Sequence, residues 1–187
     1  MWRGSLFLAA VHLASGVRGL AAYDTQLTPE AIGDFTAVGF ASVKRTTSSM
    51  PRPDCKSFPG DKLWPEESEW SRLNKTLGGA LLNPLPAASA CYSTSPNFNA
   101  KTCSFLLNNA SRSTFYLDDP LTILTQWPQG NTCLISQNPT GTCTQGGYPV
   151  YVVNATNVKQ VQAAVNFARN KDIRLVIKSV GPRRSSV

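Results

Sequence analysis

The stretch from residue 148 onward constrains the fold of this chain more than any other. "YPVYVVN", residues 148–154, has the β-branched and aromatic composition of a strand. Thr156 is placed to cap a helix running from Asn157 to about Asn170, in which Val158, Val161, Val165 and Ala168 recur at helical spacing. "IRLVIK", Ile173 to Lys178, reads as a second strand. Two strands joined by a crossover of about twenty residues form a βαβ unit, which requires a parallel pair. Open α/β sheets bind ligands beyond the carboxyl ends of their strands. Here that position is held by Ser179, Val180 and Gly181, followed by "PRRSSV".

Upstream the signals are weaker. Residues 22 to about 60 are polar and poorly periodic. In "LWPEESEWSRLNKTLGG", Pro65 suits the first turn of a helix, and Glu66, Glu67 and Glu69 suit its positive end. Trp70, Leu73 and Leu77 share one face, and Gly78 is a stop. "ALLNPLP" reads as a short extended piece. Residues 86–112 read as a loop region with one short helix, and Pro120 to Trp127 as a strand.

The amino terminus is a separate matter. Arg3 precedes a short apolar run, "LFLAAVHLA", and Gly19-Leu20-Ala21 offers a small-residue cleavage site. Residues 1–21 therefore read as a secretory signal peptide, because the run is too short for a membrane anchor of roughly 20 apolar residues. The only histidine, His12, lies inside it. Cleavage would leave no His for a catalytic triad or a zinc site. It would also remove Arg3 and Arg18, taking the formal charge from +7 to +5. Seven of the remaining basic residues (Lys159, Arg169, Lys171, Arg174, Lys178, Arg183 and Arg184) face one acid, Asp172, in the same stretch. Such a stripe suits a solvated helix face or a phosphate-bearing cofactor. Secretion argues against nucleic acid.

Five cysteines, none in a CxxC, agree with an oxidising compartment. Cys91 and Cys103, and likewise Cys133 and Cys143, flank short polar loops, so two local disulfides are expected, with connectivity left open. Cys55 is odd: a free thiol, an intermolecular bond or a missing partner all fit. Sequons at Asn74, Asn109 and Asn154 would carry glycans on exposed turns.

"GGYPVYVVNATNVKQVQAAVNFARNKDIRLVIKSVG" resembles the start of the FAD-binding domain of the vanillyl-alcohol oxidase/PCMH superfamily, in its secreted berberine-bridge-like branch. "CKSFPGDKLWPEESEWSRLNKTLGGALLNPLP" and "DDPLTILTQWPQGNTCLI" resemble the extension that precedes that domain. The resemblance covers most of residues 50–181. It implies an α+β fold: a signal peptide (1–21), a loop-rich, disulfide-containing N-terminal extension (22–140), then the first βαβ unit of a PCMH-type FAD-binding domain (145–187). It also implies FAD as cofactor, with backbone amides of Ser179, Val180 and Gly181 at the pyrophosphate, since a glycine turn supplies fixed dipoles without bulk. In the family, histidine usually follows the glycine matching Gly181 and commonly bonds to the flavin. Here Pro182 stands there, with no nucleophile and no amide donor.

The chain thus reads as an N-terminal fragment of a secreted FAD-dependent oxidoreductase, truncated early in its flavin domain and inactive as it stands. The family reaction is flavin-mediated oxidation of an alcohol, sugar or secondary metabolite with oxygen as acceptor. No catalytic residue is carried over, no membrane association is expected after signal cleavage, and substrate and oligomeric state stay open. The reading from another class is a non-catalytic secreted glycoprotein or binding module. Expressed in a eukaryotic secretory host, the chain is expected in the medium, with an apparent mass that glycosidase lowers; an uncleaved chain kept in the cytosol would contradict this.

Overall fold

A stripe of three apolar side chains, spaced to fall on one helical face, anchors the fold. In the computed structural model, which describes residues 25–40, 55–112, 119–121, 132–135 and 140–178, that stripe lies on α2. Ahead of α2 come α1, Pro29–Ile32, and a 3-10 turn, Thr36–Val38. Helix α2 spans Glu67–Thr76; β1, Leu81–Leu82, follows, then a second 3-10 turn, Ala87–Cys91, and α3, Ala100–Asn109. The described elements end with β2, Val152–Val153, and α4, Val158–Asn170.

Helix α2 forms much as its sequence dictates. Trp70, Leu73 and Leu77 are all buried. Pro65 lies just before the N-cap, Glu66, rather than in the first turn. The exit is a Schellman turn: Gly79 N–H donates to Asn74 O at 2.9 Å and Gly78 N–H to Lys75 O at 3.1 Å. Gly78 sits at φ +65°, a left-handed conformation that side chains disfavour. The chain then enters β1, where Leu81 N–H donates to Asn74 Oδ1 at 3.1 Å.

β1 pairs antiparallel with β2, Leu81 opposite Val153 and Leu82 opposite Val152. The expected strand at 148–154 is thus two residues long, and its partner is the extended piece near residue 81. Among the described residues no parallel pairing joins it to 173–178. That segment contributes a single parallel bridge, Ile173 with Ser57. Of the strand expected at 120–127, Leu121 is fully buried, while 122–127 lie outside the described residues.

Helix α4 departs from its expected start and its expected face. Asn157, not Thr156, is the N-cap: its side chain accepts Gln160 N–H at 3.0 Å. Gln160 reaches back, its Oε1 accepting Thr156 N–H at 2.8 Å, which ties the residue before the N-cap to the first turn. Its Nε2 also donates to Leu77 O at 2.8 Å, tying the start of α4 to the end of α2. The buried face is Ala163, Asn166, Phe167 and Ala168, whereas Val158, Val161 and Val165 are exposed. Periodicity marked Val158, Val161, Val165 and Ala168, of which Ala168 alone is buried. Packing selected the neighbouring stripe, because only that one carries both an aromatic ring and amides for a partner.

The partner is the polar segment at 25–40, where sequence gave no order. Phe35 and Val38 enter the main core with Trp70, Leu73, Leu77, Ala163 and Phe167. Phe167 meets Phe35 at 6.0 Å and Trp70 at 5.1 Å between ring centroids. Trp70 in turn stacks on Tyr151 at 4.0 Å. Asn166 Nδ2 donates to Val38 O at 2.9 Å, and Asn170 Nδ2 to Ala37 O at 2.8 Å and Gly39 O at 2.9 Å. A second cluster, Ala88, Ala90, Cys91, Tyr92, Leu106 and Cys133, gathers around the cystines.

Two stability measurements follow. Phe167→Ala should cost about 3–5 kcal/mol in urea unfolding, while Val165→Ala, on the exposed stripe, should change stability by about 0.5 kcal/mol or less; the reverse order would return the buried face to the valines. Tyr151 donates to Glu67 Oε2 at 3.3 Å. Burial, then the Glu67 charge, then this hydrogen bond raise its phenol above the ordinary value of 10.0. The folded state therefore holds the proton longer than the unfolded state. The resulting stabilisation is complete below pH 10 and is lost as pH rises through the raised value. Urea midpoints measured from pH 8 to pH 11 should fall less for Tyr151→Phe than for the parent.

Candidate functional site

The expected ligand loop, Ser179, Val180 and Gly181, lies outside the described residues, as do Pro182, Arg183 and Arg184. The described residues give the approach to it. Helix α4 ends in a second Schellman turn, in which Ile173 N–H donates to Ala168 O at 2.8 Å. Asp172 occupies the left-handed position at φ +55°, a place Asp tolerates better than most side chains. The chain then bridges residue 57: Ser57 N–H donates to Asp172 O at 3.0 Å, and Lys56 Nζ meets Asp172 Oδ1 at 2.5 Å. Beyond the bridge, Leu175, Val176 and Ile177 are exposed. Lys178 Nζ donates to Asp119 O at 2.9 Å.

Three residues of the basic stripe have separate partners. Lys171 pairs with Glu69 across α4 and α2. The Arg169 guanidinium lies 4.6 Å over the Phe40 ring, and Lys178 is held as above. Among the described residues no group of His, Cys, Asp and Glu is placed to hold a metal, and no helix is long and apolar enough to cross a membrane.

The cysteines pair as their spacing suggested. Cys91 bonds Cys103, with Cα atoms 4.8 Å apart, and Cys133 bonds Cys143, with Cα atoms 4.3 Å apart. The first clips the 3-10 turn to α3. Asn99 starts that helix by accepting Thr102 N–H at 2.9 Å. The second closes the 133–143 loop, and Tyr92 joins the two by donating to Leu134 O at 2.6 Å. Cys55 is free and exposed.

The sequons occupy three different settings. Asn154 is exposed in the turn between β2 and α4. Asn74 is half-buried in α2, its carbonyl holding Leu81. Asn109 ends α3, its Nδ2 donating to Phe105 O at 2.7 Å. Only Asn154 lies on an exposed turn. The other two sit on helices: Asn74 in the helix that the sequence already marked ahead of Gly78, and Asn109 at the end of α3, in a region read as loop with one short helix.

Two clefts open among the described residues. One, of 260 Å³, lies between Cys55, Lys62 and Asp172. The other, of 140 Å³, lies between Pro86, Ser95 and Cys143. Neither is large enough to enclose a dinucleotide, since pockets that bury drug-sized ligands run from about 300 to 1,000 Å³. Sequence reasoning missed the first cleft, because it depends on residues 55–63 meeting residue 172. The odd Cys55 was its one legible sign.

No family model matches the chain. It is 37% identical over 156 residues to the VAO-type flavoprotein oxidase VAO615 of Thermothelomyces thermophilus, a match covering 82% of this chain and 27% of that protein. It is 36% identical over 135 residues to the FAD-linked oxidoreductase apf9 of Gibberella fujikuroi, covering 72% and 22%. The crystal structure of the VAO-type flavoprotein MtVAO615 from Myceliophthora thermophila superposes with a TM-score of 0.61 at 37% identity, over 66% of this chain and 23% of that one. MtVAO713 from the same organism gives 0.59 at 32% identity, over 67% and 22%. The chain spans about a quarter of the length of the curated relatives it matches. Its homologues are VAO-type flavoprotein oxidases and FAD-linked oxidoreductases, and the chain resembles the N-terminal part of these members of the vanillyl-alcohol oxidase/PCMH superfamily.

Proposed function

We propose that this chain is the N-terminal part of a secreted FAD-dependent oxidoreductase that oxidises an alcohol, sugar or secondary metabolite with oxygen as acceptor. The observation that carries the reading is the 37% identity to a VAO-type flavoprotein oxidase across 82% of the chain. Secretion and glycosylation are part of the proposal, supported by the signal-like residues 1–21, the three sequons and the two cystines.

Flavin, when bound, would supply hydride acceptance and reoxidation by oxygen; the protein would supply orientation. The residues proposed to meet the pyrophosphate are Ser179, Val180 and Gly181, at the end of the Ile173–Lys178 segment. That segment would complete the βαβ unit by pairing with further sheet. The described residues do not enclose such a cofactor: Leu175, Val176 and Ile177 are 45%, 41% and 68% exposed. Pro182 offers the flavin no nucleophile. We therefore propose that the 187 residues alone neither hold FAD tightly nor oxidise a substrate.

A second reading, a non-catalytic secreted glycoprotein, is favoured by the cluster around the two cystines, which packs as a unit of its own. One preparation addresses both readings. The purified 187-residue chain should be colourless, with no flavin released on denaturation, and Pro182→His should not change that. A longer chain carrying full flavin and substrate domains should be yellow and consume oxygen with an alcohol or sugar. A yellow 187-residue product would overturn the proposed inactivity, and a colourless extended chain would favour the glycoprotein.

A further inference from the structure

Three asparagines stand two residues ahead of a hydroxyl side chain: Asn74 with Thr76, Asn109 with Ser111 and Asn154 with Thr156. This pattern is the acceptor for N-linked oligosaccharide in a secretory compartment. Transfer makes two demands on the chain. The asparagine Nδ2 must be open to solvent, and the enzyme must read the amide and the hydroxyl together. Residues i and i+2 fall on one side of an extended chain but do not face each other on a helix. A helical acceptor must therefore unwind before it can be used.

The fold withholds two of the three. Asn74 is half-buried inside α2, and its Oδ1 holds Leu81 N–H at 3.1 Å, the bond that leads the chain into β1. Its Thr76 hydroxyl donates back along the helix to Arg72 O at 3.0 Å. Asn109 is the partly buried last residue of α3, and its Nδ2, the atom a sugar would take, donates to Phe105 O at 2.7 Å. Asn154, Ala155 and Thr156 lie outside any helix or strand, between β2 and the N-cap of α4, and all three are exposed. The Asn154 backbone is fixed, its N–H donating to Ala80 O at 2.9 Å. Its side chain has no hydrogen-bond partner among the described residues. The Thr156 hydroxyl donates to Gln160 Oε1 at 3.1 Å in an exposed bond, which exchanges for water at little cost.

We propose that Asn154 is the residue that carries an N-linked oligosaccharide, and that Asn74 and Asn109 stay unmodified. This narrows the secretory reading above, on which it rests, to one site. The donor is an oligosaccharide joined to a lipid through pyrophosphate. A bond forms from Asn154 Nδ2 to the anomeric carbon of the first sugar, and the bond from that carbon to the pyrophosphate oxygen breaks. The lipid pyrophosphate leaves, and the amide gives up one proton. The glycan then projects from a turn tied down by Ala80 on one side and by the Asn157 cap on the other, so the β1–β2 pair and the start of α4 are undisturbed. A sugar on Asn74 would instead crowd the contact between α2 and β1.

The test locates the sugar by peptide mapping. The chain is expressed in a eukaryotic secretory host in two forms, one with its own residues 1–21 and one with a host signal peptide in their place. Peptide N-glycosidase in heavy-oxygen water turns each glycosylated asparagine into a labelled aspartate. The label is expected at position 154 and absent at 74 and 109. Asn154→Gln and Thr156→Ala should each abolish the glycosidase-sensitive mass shift, and Thr156→Ser should retain it. Asn74→Gln and Asn109→Gln should leave it unchanged. Asn74→Ala should lower the melting temperature, because Leu81 N–H loses its partner, whereas Asn154→Gln should not. With the host signal peptide in place, label at 74 or 109, or an unlabelled 154, would overturn the assignment. Sugar at 154 in that form alone would support the site and count against the secretory reading of residues 1–21.

Discussion

Two amides and a ring on one turn of α4 hold the molecule's ends together. Asn166 and Asn170 take the carbonyls of Val38, Ala37 and Gly39, and Phe167 between them fills the core beside Phe35. The carbonyls of a 3-10 turn this short have few partners within the turn, so leaving them buried and unpaired would be costly. The asparagines satisfy them from a helix that lies 128 residues away in sequence for the Asn166–Val38 bond. Closing so long a loop costs entropy that grows slowly with its length. The return comes from packing Phe167 against Trp70, which also brings in Tyr151 and the β1–β2 pair.

Around this contact the molecule is held by two different means. The main core is hydrophobic and non-local, built from helices α2 and α4 and the 25–40 segment. The cystine cluster is local: each bond spans a short loop, and Tyr92 welds the two loops through a backbone carbonyl. Loops rich in Ser, Asn and Thr bury little apolar area by themselves, so covalent closure substitutes for packing there. The exposed valines of α4 and the exposed residues 175–177 show a surface finished to a lesser degree at the carboxyl end. That is also the end nearest the proposed flavin loop.

The relatives are VAO-type flavoproteins and FAD-linked oxidoreductases, while the described residues of this chain form no reaction centre. Asp172, in its left-handed conformation, turns the chain out of α4 and docks it on Ser57. This one junction has two effects. It sets the path of residues 174–178, and it shapes the wall of the cleft that Cys55 borders.

The sequence by itself determined the local pieces. The Trp70, Leu73, Leu77 stripe, the Gly78 stop and the two cystine loops depend on residues a few positions apart, where spacing and backbone freedom decide the outcome. The motifs from "PVYVVNAT" to "IRLVIK" also carried the family, because order and spacing along the chain suffice for recognition. Tertiary structure alone decided which face of α4 is buried, since its valine stripe is a valid helical pattern and loses only when Phe167 meets a partner. It alone decided that residues 25–40 are ordered, because Phe35 and Val38 are unremarkable until α4 supplies amides for the turn between them. And it alone decided that Val152–Val153 pairs with Leu81–Leu82: a strand's pattern states that it will pair, while the chain's packing chooses with what.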